Sequence, residues 1–256
     1  MDSFERDYIN FIDKHLSAPL TINTFYHYTT MKALDGIIRE NPEEGKEICL
    51  WATHNHCLND TAELIPGAII QEQLLSMIFK NSKENENRKK VIDRMKDLYI
   101  LSLSQEKNSL PMWNAYADKG NGVAIGLKRQ KSINFEDIVV KCCYGSISEY
   151  LERQNKLLPI LLSIYLPQIV KDEAFAYENE VRIVGYFKDA PTKYRDKNGL
   201  KIPYKEIFFP KEQLESITLG PCISTNENEE ILIDFLKSRG MQNVIIKKSK
   251  IPYRNI

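Results

Sequence analysis

The 256-residue sequence has no excess of charge of either sign. Lysine and arginine total 35, and aspartate and glutamate also total 35. No net field therefore draws the chain towards nucleic acid or an anionic membrane, although a local basic patch is compatible with this balance. Hydrophobic residues make up 43% and charged residues 27% of the chain. These are ordinary values for a soluble globular protein with a sizeable core.

Long apolar runs are also missing. The longest one, at residues 157–170, is interrupted by two prolines, a serine and a glutamine and is too short to span a bilayer. The first 16 residues lack the basic and apolar regions of a secretory signal. Five cysteines, an odd number, favour reduced thiols. We therefore expect a cytoplasmic protein with no membrane partner.

The usual motifs of three large enzyme classes do not occur: GxSxG, the phosphate-binding loop and GxGxxG. Histidine is scarce, and the only metal-like cluster is His54, His56 and Cys57. A zinc site needs four ligands, usually in spaced pairs, and the sequence has no second pair. We expect no metal. A metal-dependent hydrolase or nuclease built around His54 and His56 remains one functional hypothesis, although the sequence favours it least.

The spacing of apolar residues predicts one α+β domain over residues 1–256, without internal repeats. Within it we expect a helical insertion at about 60–97 and a C-terminal extension at about 190–256 that begins with a polar loop at 191–199. Strands are predicted at 24–29, 48–53, 99–104, 123–127, 138–144, 214–219 and 244–247. Helices are predicted at 3–16, after Thr30, within the insertion, after Ser109, at 148–171 and at 228–238.

Residues 176–184, with the sequence AYENEVRIV, place two acids beside an arginine. In an extended segment Glu178, Glu180 and Arg182 project from one face, with successive acids about 7 Å apart. This pattern fits a solvated strand face in which the arginine offsets the acids. It also fits the acidic centre of a site that stabilises a developing positive charge.

Two further segments carry candidate site residues. In YILSLS, residues 99–104, strict alternation places Ser102 and Ser104 on the face opposite the core leucines. In the short helix that follows, Trp113 and Tyr116 lie three residues apart on one face. Aromatic residues at this spacing are usually core residues, but they can also contact a ligand.

The motifs YHYTT, LWATH, LND, a strand ending in SLS, MWNAYADKGNGVAIGL and AYENEVRIV, taken in this order, resemble the bacterial family catalogued as domain of unknown function 2971. The resemblance covers residues 25–184 and continues more weakly to residue 219. That family is similar in turn to the ADP-ribosyltransferase superfamily. The resemblance implies an ADP-ribosyltransferase-like split β-sandwich with helical insertions, which holds NAD in a cleft between two small sheets.

Matched by motif, His27 falls on the first-strand position of that superfamily and Glu180 on its late glutamate. The resemblance implies that Glu180 stabilises the charge on the ribose as nicotinamide leaves, while His27 positions the dinucleotide. Glu178 resembles the first acid of a Glu-x-Glu pair and would orient the acceptor or water. Ser102 and Ser104 resemble the serine strand and would support Glu180.

The same resemblance implies further contacts with NAD. Tyr116 or Trp113 would stack on the nicotinamide ring, Tyr28 would join His27 in binding the cofactor, and Arg182 would hold an acid ionised or bind a phosphate. The mapping departs from the superfamily in one respect. A first-strand histidine usually accompanies a tyrosine motif, whereas a serine strand with Glu-x-Glu usually accompanies arginine.

The first hypothesis is thus an NAD-dependent ADP-ribosyltransferase or NAD glycohydrolase that transfers ADP-ribose to a protein, a nucleic acid or water. The alternative is a non-catalytic module that binds a nucleotide or nucleic acid in a defence or toxin system. The sequence identifies neither the acceptor nor the oligomeric state.

Overall fold

The computed structural model describes residues 23–58, 96–129, 137–144 and 168–253, together with positions 68 and 72. The helix predicted at 3–16 and most of the residues of the predicted insertion and of the helix at 148–171 lie outside this part of the chain. No helix within the described part is both long enough and apolar enough to cross a membrane.

The fold is a mixture of α and β structure built around one large, mostly antiparallel sheet. Its strands and those of a small second sheet are β1 (Thr24–Thr29), β2 (Ile48–His54), β3 (Tyr99–Ser104), β4 (Val123–Lys128), β5 (Asp137–Lys141), β6 (Cys143–Tyr144), β7 (Val170–Lys171), β8 (Glu180–Gly185), β9 (Lys193–Lys197), β10 (Leu200–Phe209), β11 (Leu214–Leu219) and β12 (Ile245–Lys248). The described α-helices are short except the last: α1 (Leu34–Ile37), α2 (Leu110–Tyr116) and α3 (Asn226–Ser238).

The large sheet has the order β12-β11-β4-β1-β3-β2-β10-β9, and β8 lies between β3 and β5. β3 is the branch point. It pairs with β8 along its whole length, whereas its other edge is shared by two strands. β2 pairs with Tyr99 and Ile100 at one end of β3, and β1 pairs with Ser104 at the other end. β1 and β2 therefore separate beside the middle of β3, which leaves room between them.

Apolar side chains on both faces of the sheet fix this arrangement. On one face, Leu232 and Leu236 of α3 belong to the main core together with residues of β4 and β11. On the other, Met112 and Trp113 of α2 pack with Tyr26 and Tyr28 of β1 in a smaller cluster. Pro111 stands in the first turn of α2, where its missing N–H has no helical partner to lose.

The strands predicted at 24–29, 99–104 and 214–219 are confirmed with the same bounds. The prediction of a polar loop at 191–199 is wrong, because this segment contains β9, which forms an antiparallel hairpin with β10. β9 has charged or polar side chains on both faces, and as an edge strand it has no apolar pattern to reveal it. Since β10 pairs with β2 and β11 with β4, the C-terminal part of the chain belongs to the same sheet.

Candidate functional site

A cavity of about 220 Å³ lies beside the middle of β3, where β1 and β2 separate. The resemblance-based site residues that line it come from β1, β3, α2 and the start of β8. They are His27, Tyr28, Ser102, Ser104, Tyr116 and Glu180, together with Glu178 from the 3-10 helix that precedes β8. The structure thus brings together residues that are far apart in the sequence.

Glu180 is the first residue of β8 and is buried, with 4% of its surface exposed. Arg182 forms a two-pronged ion pair with it: Nε lies 2.9 Å from Oε1 and Nη2 lies 2.9 Å from Oε2. The Ser102 hydroxyl also hydrogen bonds to this carboxylate. Burial raises the pKa of Glu180 above its usual value, although Lys171 and Ser102 oppose the shift.

Lys171 was not among the residues singled out from the sequence. Its ammonium group donates to Glu178 Oε2 and lies 3.1 Å from Glu180 Oε2, so it joins the two acids. Burial opposes its positive charge, but the two carboxylates outweigh this effect and raise the pKa of Lys171 above its usual value. Lys171 stands in β7, at the end of a segment predicted as helical, and no short motif marks it.

Arg182 is fully buried and does not line the cavity. Besides the pair with Glu180, its Nη1 donates to the carbonyl oxygen of Gln168 at 2.6 Å. Burial lowers the pKa of Arg182 to about 9, which leaves the group protonated at neutral pH. Of the two implied roles, Arg182 is placed to hold Glu180 ionised and is not placed to contact a phosphate in the cavity.

The extended conformation assumed for residues 176–179 is wrong. Residues 173–178 form a 3-10 helix in which the Asp172 side chain accepts a hydrogen bond from the Ala174 N–H. Asn179 then adopts a left-handed conformation with φ of 43°, and β8 starts only at Glu180. Glu178 therefore approaches Glu180 through a turn rather than along one strand face. The Tyr116 hydroxyl donates to Glu178 Oε1 at 2.6 Å.

His27 lies in the middle of β1, opposite Ile125 of β4, and is partly buried. Its imidazole hydrogen bonds to the backbone of Ser102, whose hydroxyl contacts Glu180. Protein atoms surround the ring on most sides, and this desolvation lowers the pKa of His27 to about 4. At neutral pH the cavity therefore has an uncharged imidazole on the β1 side, linked through Ser102 to the carboxylate on the β8 side.

The three aromatic candidates differ in their surroundings. Trp113 has no exposed surface, its Nε1 donates to Asn108 Oδ1 at 2.8 Å, and it meets Tyr28 edge to face at 4.8 Å. It is a core residue, and its burial contradicts the expected contact with nicotinamide. The Tyr28 hydroxyl is held by the backbone of Glu106 and Ser109. Tyr116 is 37% exposed and is the aromatic side chain of α2 that a ligand can reach.

Two features of the cavity wall were not predicted. Trp51 and Thr53 of β2 line the cavity together with Arg195 of β9. Trp51 carried no signal beyond its place in the LWATH motif, and Arg195 fell in the segment predicted as a loop. Trp51 and Arg195 lie at the same cavity because β10 pairs with both β2 and β9.

The cluster of His54, His56 and Cys57 adjoins the same region. The rings of His54 and His56 are 5.6 Å apart, and His54 also meets Tyr99 edge to face. Within the described ranges, no group of three or more histidine, cysteine, aspartate or glutamate residues could hold a metal ion.

A second hollow lies away from this cavity and is lined by Asn108, Thr218 and four lysines: Lys107, Lys247, Lys248 and Lys250. Lys248 forms an ion pair with Glu229 at 2.7 Å, and Lys247 lies 3.3 Å from the Ser216 hydroxyl. The balanced total charge of the chain thus includes a local concentration of positive charge at this surface.

Part of the chain matches the model of a protein family. No curated protein and no solved structure matches the chain. The segment that matches the family model runs from α2 into β8. It includes Tyr116, Glu178, Glu180 and Arg182, but neither His27 nor the wall formed by β2 and β9. Residues 112–183 match the model of the family described as "Protein of unknown function (DUF2971)", in agreement with the resemblance drawn from the motifs.

Proposed function

We propose that this protein cleaves the bond between nicotinamide and ribose in NAD and transfers ADP-ribose to a macromolecular acceptor or to water. The observation that supports this proposal is the meeting of His27 and Glu180 at one cavity, linked through Ser102. The separation of β1 and β2 beside β3 is also compatible with the ligand cleft of a split β-sandwich. The fold we propose is therefore that of the ADP-ribosyltransferases.

In the proposed reaction the bond from the ribose carbon to the nicotinamide nitrogen breaks, and its electron pair leaves with nicotinamide. Positive charge develops on the ribose, as in glycoside cleavage. A fixed carboxylate in a shielded site stabilises that charge, and we assign this role to Glu180. The acceptor oxygen or nitrogen then attacks the ribose carbon and gives its proton to the carboxylate of Glu178 or to solvent.

Two buried cations lie beside the two acids of the site. Burial favours the neutral form of Glu180, but Lys171 and Arg182 place two positive charges beside the two carboxylates. Neutral His27 donates or accepts one hydrogen bond to the ribose or the amide without adding charge. Tyr116 supplies an exposed ring for the nicotinamide.

One observation favours the alternative of a non-catalytic module. Both oxygens of Glu180 already accept hydrogen bonds from Arg182, and one of them also meets Lys171. A carboxylate engaged in this way has few lone pairs left for a ribose. The lysine-lined hollow adds a surface suited to nucleic acid. This alternative predicts saturable binding without nicotinamide release and no response to Glu180→Gln.

Nicotinamide release from NAD tests the two functions. We expect the wild-type protein to release nicotinamide, and Glu180→Asp to reduce turnover about 100-fold or more, because the charge is kept but withdrawn by one methylene group. Glu173→Asp is the matched control, since Glu173 is exposed in the 3-10 helix just before Glu178. Thermal unfolding of each variant checks that the fold is kept. Full activity of Glu180→Asp, or NAD binding without any release, would contradict the proposed reaction.

A further inference from the structure

We propose that the wall formed by β2 and β9 binds the nucleoside diphosphate half of the dinucleotide, with Arg195 on the pyrophosphate and Trp51 against the base. This inference deepens the proposed function and rests on it for the identity of the whole ligand. It assigns to the same cavity a second subsite, formed by residues of β2 and β9.

Arg195 has the surroundings of an anion-binding group. It lies on β9 opposite Ile202 of β10, and its Nη2 donates to the Thr53 hydroxyl at 3.1 Å. Its Nε is buried without a hydrogen-bond partner, and no carboxylate within the described ranges forms an ion pair with it. A partly buried guanidinium without a counter-ion favours the binding of a phosphate. The phosphate can accept two parallel hydrogen bonds from the N–H groups of the guanidinium.

Lys171, the other lysine or arginine that lines the cavity in the described part of the chain, is not available in this way. Lys171 is paired with both Glu178 and Glu180, so its charge is balanced within the protein. Arg195 is therefore the cation of the cavity wall that a bound anion would neutralise. A pyrophosphate between a ribose at Glu180 and a base at the far wall supplies that anion.

Trp51 provides the surface for the base. It is 44% exposed although its neighbours Leu50 and Ala52 in β2 are buried. Tyr204 packs against the indole with ring centroids 4.3 Å apart, and the Arg195 guanidinium lies 5.5 Å from the ring centroid. A partly exposed indole beside an arginine that has no ion pair among the described residues is a surface on which a planar base stacks.

The size of the cavity limits how much of a dinucleotide it can enclose. Pockets that enclose drug-sized ligands measure about 300–1,000 Å³, whereas this cavity measures about 220 Å³. It encloses only part of a dinucleotide. The remainder would extend out of the cavity past Trp51, which lines the cavity and is also 44% exposed.

ADP, which lacks nicotinamide and its ribose, tests this subsite without requiring catalysis. The chain has two tryptophans, and Trp113 is fully buried. We therefore expect ADP to quench the fluorescence of Trp51 saturably in the full-length protein. By calorimetry, Arg195→Ala should weaken ADP binding about tenfold or more, because a charge-assisted hydrogen bond is lost. Trp51→Ala should weaken it about fivefold or more.

The controls separate the subsite from general effects on the fold. Lys197→Ala removes an exposed cation of the same strand that does not line the cavity, and it should leave ADP binding unchanged. Trp51→Phe should retain ADP binding within about threefold because it keeps a planar ring. Adenosine binding should be insensitive to Arg195→Ala. Unchanged ADP affinity in Arg195→Ala, or failure of wild-type protein to bind ADP at millimolar concentration, would overturn the proposal.

The experiment also distinguishes this inference from the proposed function. If Arg195-dependent ADP binding occurs but NAD is never cleaved, the subsite stands and the reaction fails. If NAD is cleaved and Arg195→Ala leaves KM unchanged, the reaction stands and the subsite is wrong.

Discussion

His27 illustrates how burial sets the charge of a single site residue. Desolvation lowers its pKa from the ordinary value of 6.5 to about 4, and the hydrogen bond to the backbone of Ser102 opposes this shift only in part. The folded protein thus favours the neutral ring. Neutral His27 stabilises the folded state above pH 6.5, and this contribution is lost as the pH falls towards 4 because the unfolded chain takes up the proton first.

From this shift we predict a specific pH dependence of stability. Between pH 7 and pH 5, the free energy of unfolding of the wild type should fall by about 2 kcal/mol more than that of His27→Gln, which cannot titrate. Urea unfolding at both pH values measures the difference, and common effects of carboxylates cancel between the two proteins. Between pH 7 and pH 8 the two proteins should change alike. Parallel profiles over the acid range would show that His27 is not desolvated as described.

A second prediction at this scale concerns Lys171, which is 6% exposed at the side chain and joins two buried carboxylates. Lys171→Met should lower the free energy of unfolding by about 3 kcal/mol, because it leaves Glu178 and Glu180 close together with one cation removed. Lys211→Met, at an exposed position, should change stability by less than about 0.5 kcal/mol. Urea unfolding at pH 7 measures both. A loss of less than about 1 kcal/mol for Lys171→Met would mean that the buried charges are compensated in another way.

At the scale of elements, the site depends on how the 3-10 helix at residues 173–178 passes into β8. Asn179 makes this transition with a left-handed backbone, and its side-chain amide donates to Glu106 Oε1 at 2.9 Å. Its backbone carbonyl also accepts a hydrogen bond from the N–H of Gln105, next to the end of β3. The single residue thus fixes the turn that brings Glu178 beside Glu180.

Two substitutions isolate the contribution of the left-handed backbone at Asn179 to the free energy of unfolding. Asn179→Gly and Asn179→Ala both remove the bond to Glu106, but only glycine adopts positive φ without strain. We predict that the alanine variant is less stable than the glycine variant by about 1 kcal/mol, measured by urea unfolding. At an ordinary position the order is reversed, since glycine has the more disordered unfolded state. An alanine variant as stable as the glycine variant would contradict the described turn.

The elements differ in how well the sequence predicts them, for physical reasons. β3 is confirmed because its leucines alternate with serines in the sequence, and β11 because it is rich in apolar and β-branched residues, although nearly all residues of both strands are buried. β9 was missed because an edge strand with polar residues on both faces has no such alternation. The turn at Asn179 was missed because Glu178, Glu180 and Arg182 keep the spacing of a strand across it. The capping Asp172 was the available signal for the helix.

At the scale of the whole molecule, the candidate site is assembled by long-range pairing around β3. The family resemblance indicated His27 and Glu180, and Ser102 of β3 links them in the structure. Lys171 and Arg195 could not be found in the same way. Their positions depend on tertiary packing, on a two-stranded pairing with β6 and on the hairpin of β9 with β10. The family match covers only part of this assembly.

A crystal structure with a non-cleavable NAD analogue, in which carbon links the pyridine ring to the ribose, tests most directly whether this cavity binds the dinucleotide. We predict that the ribose next to the pyridine ring lies within hydrogen-bond distance, about 3.2 Å, of the Glu180 carboxylate, with His27 on the other side of the same ligand. A dinucleotide bound elsewhere, or bound in the cavity while Glu180 contacts only Lys171, Arg182 and Ser102, would contradict it.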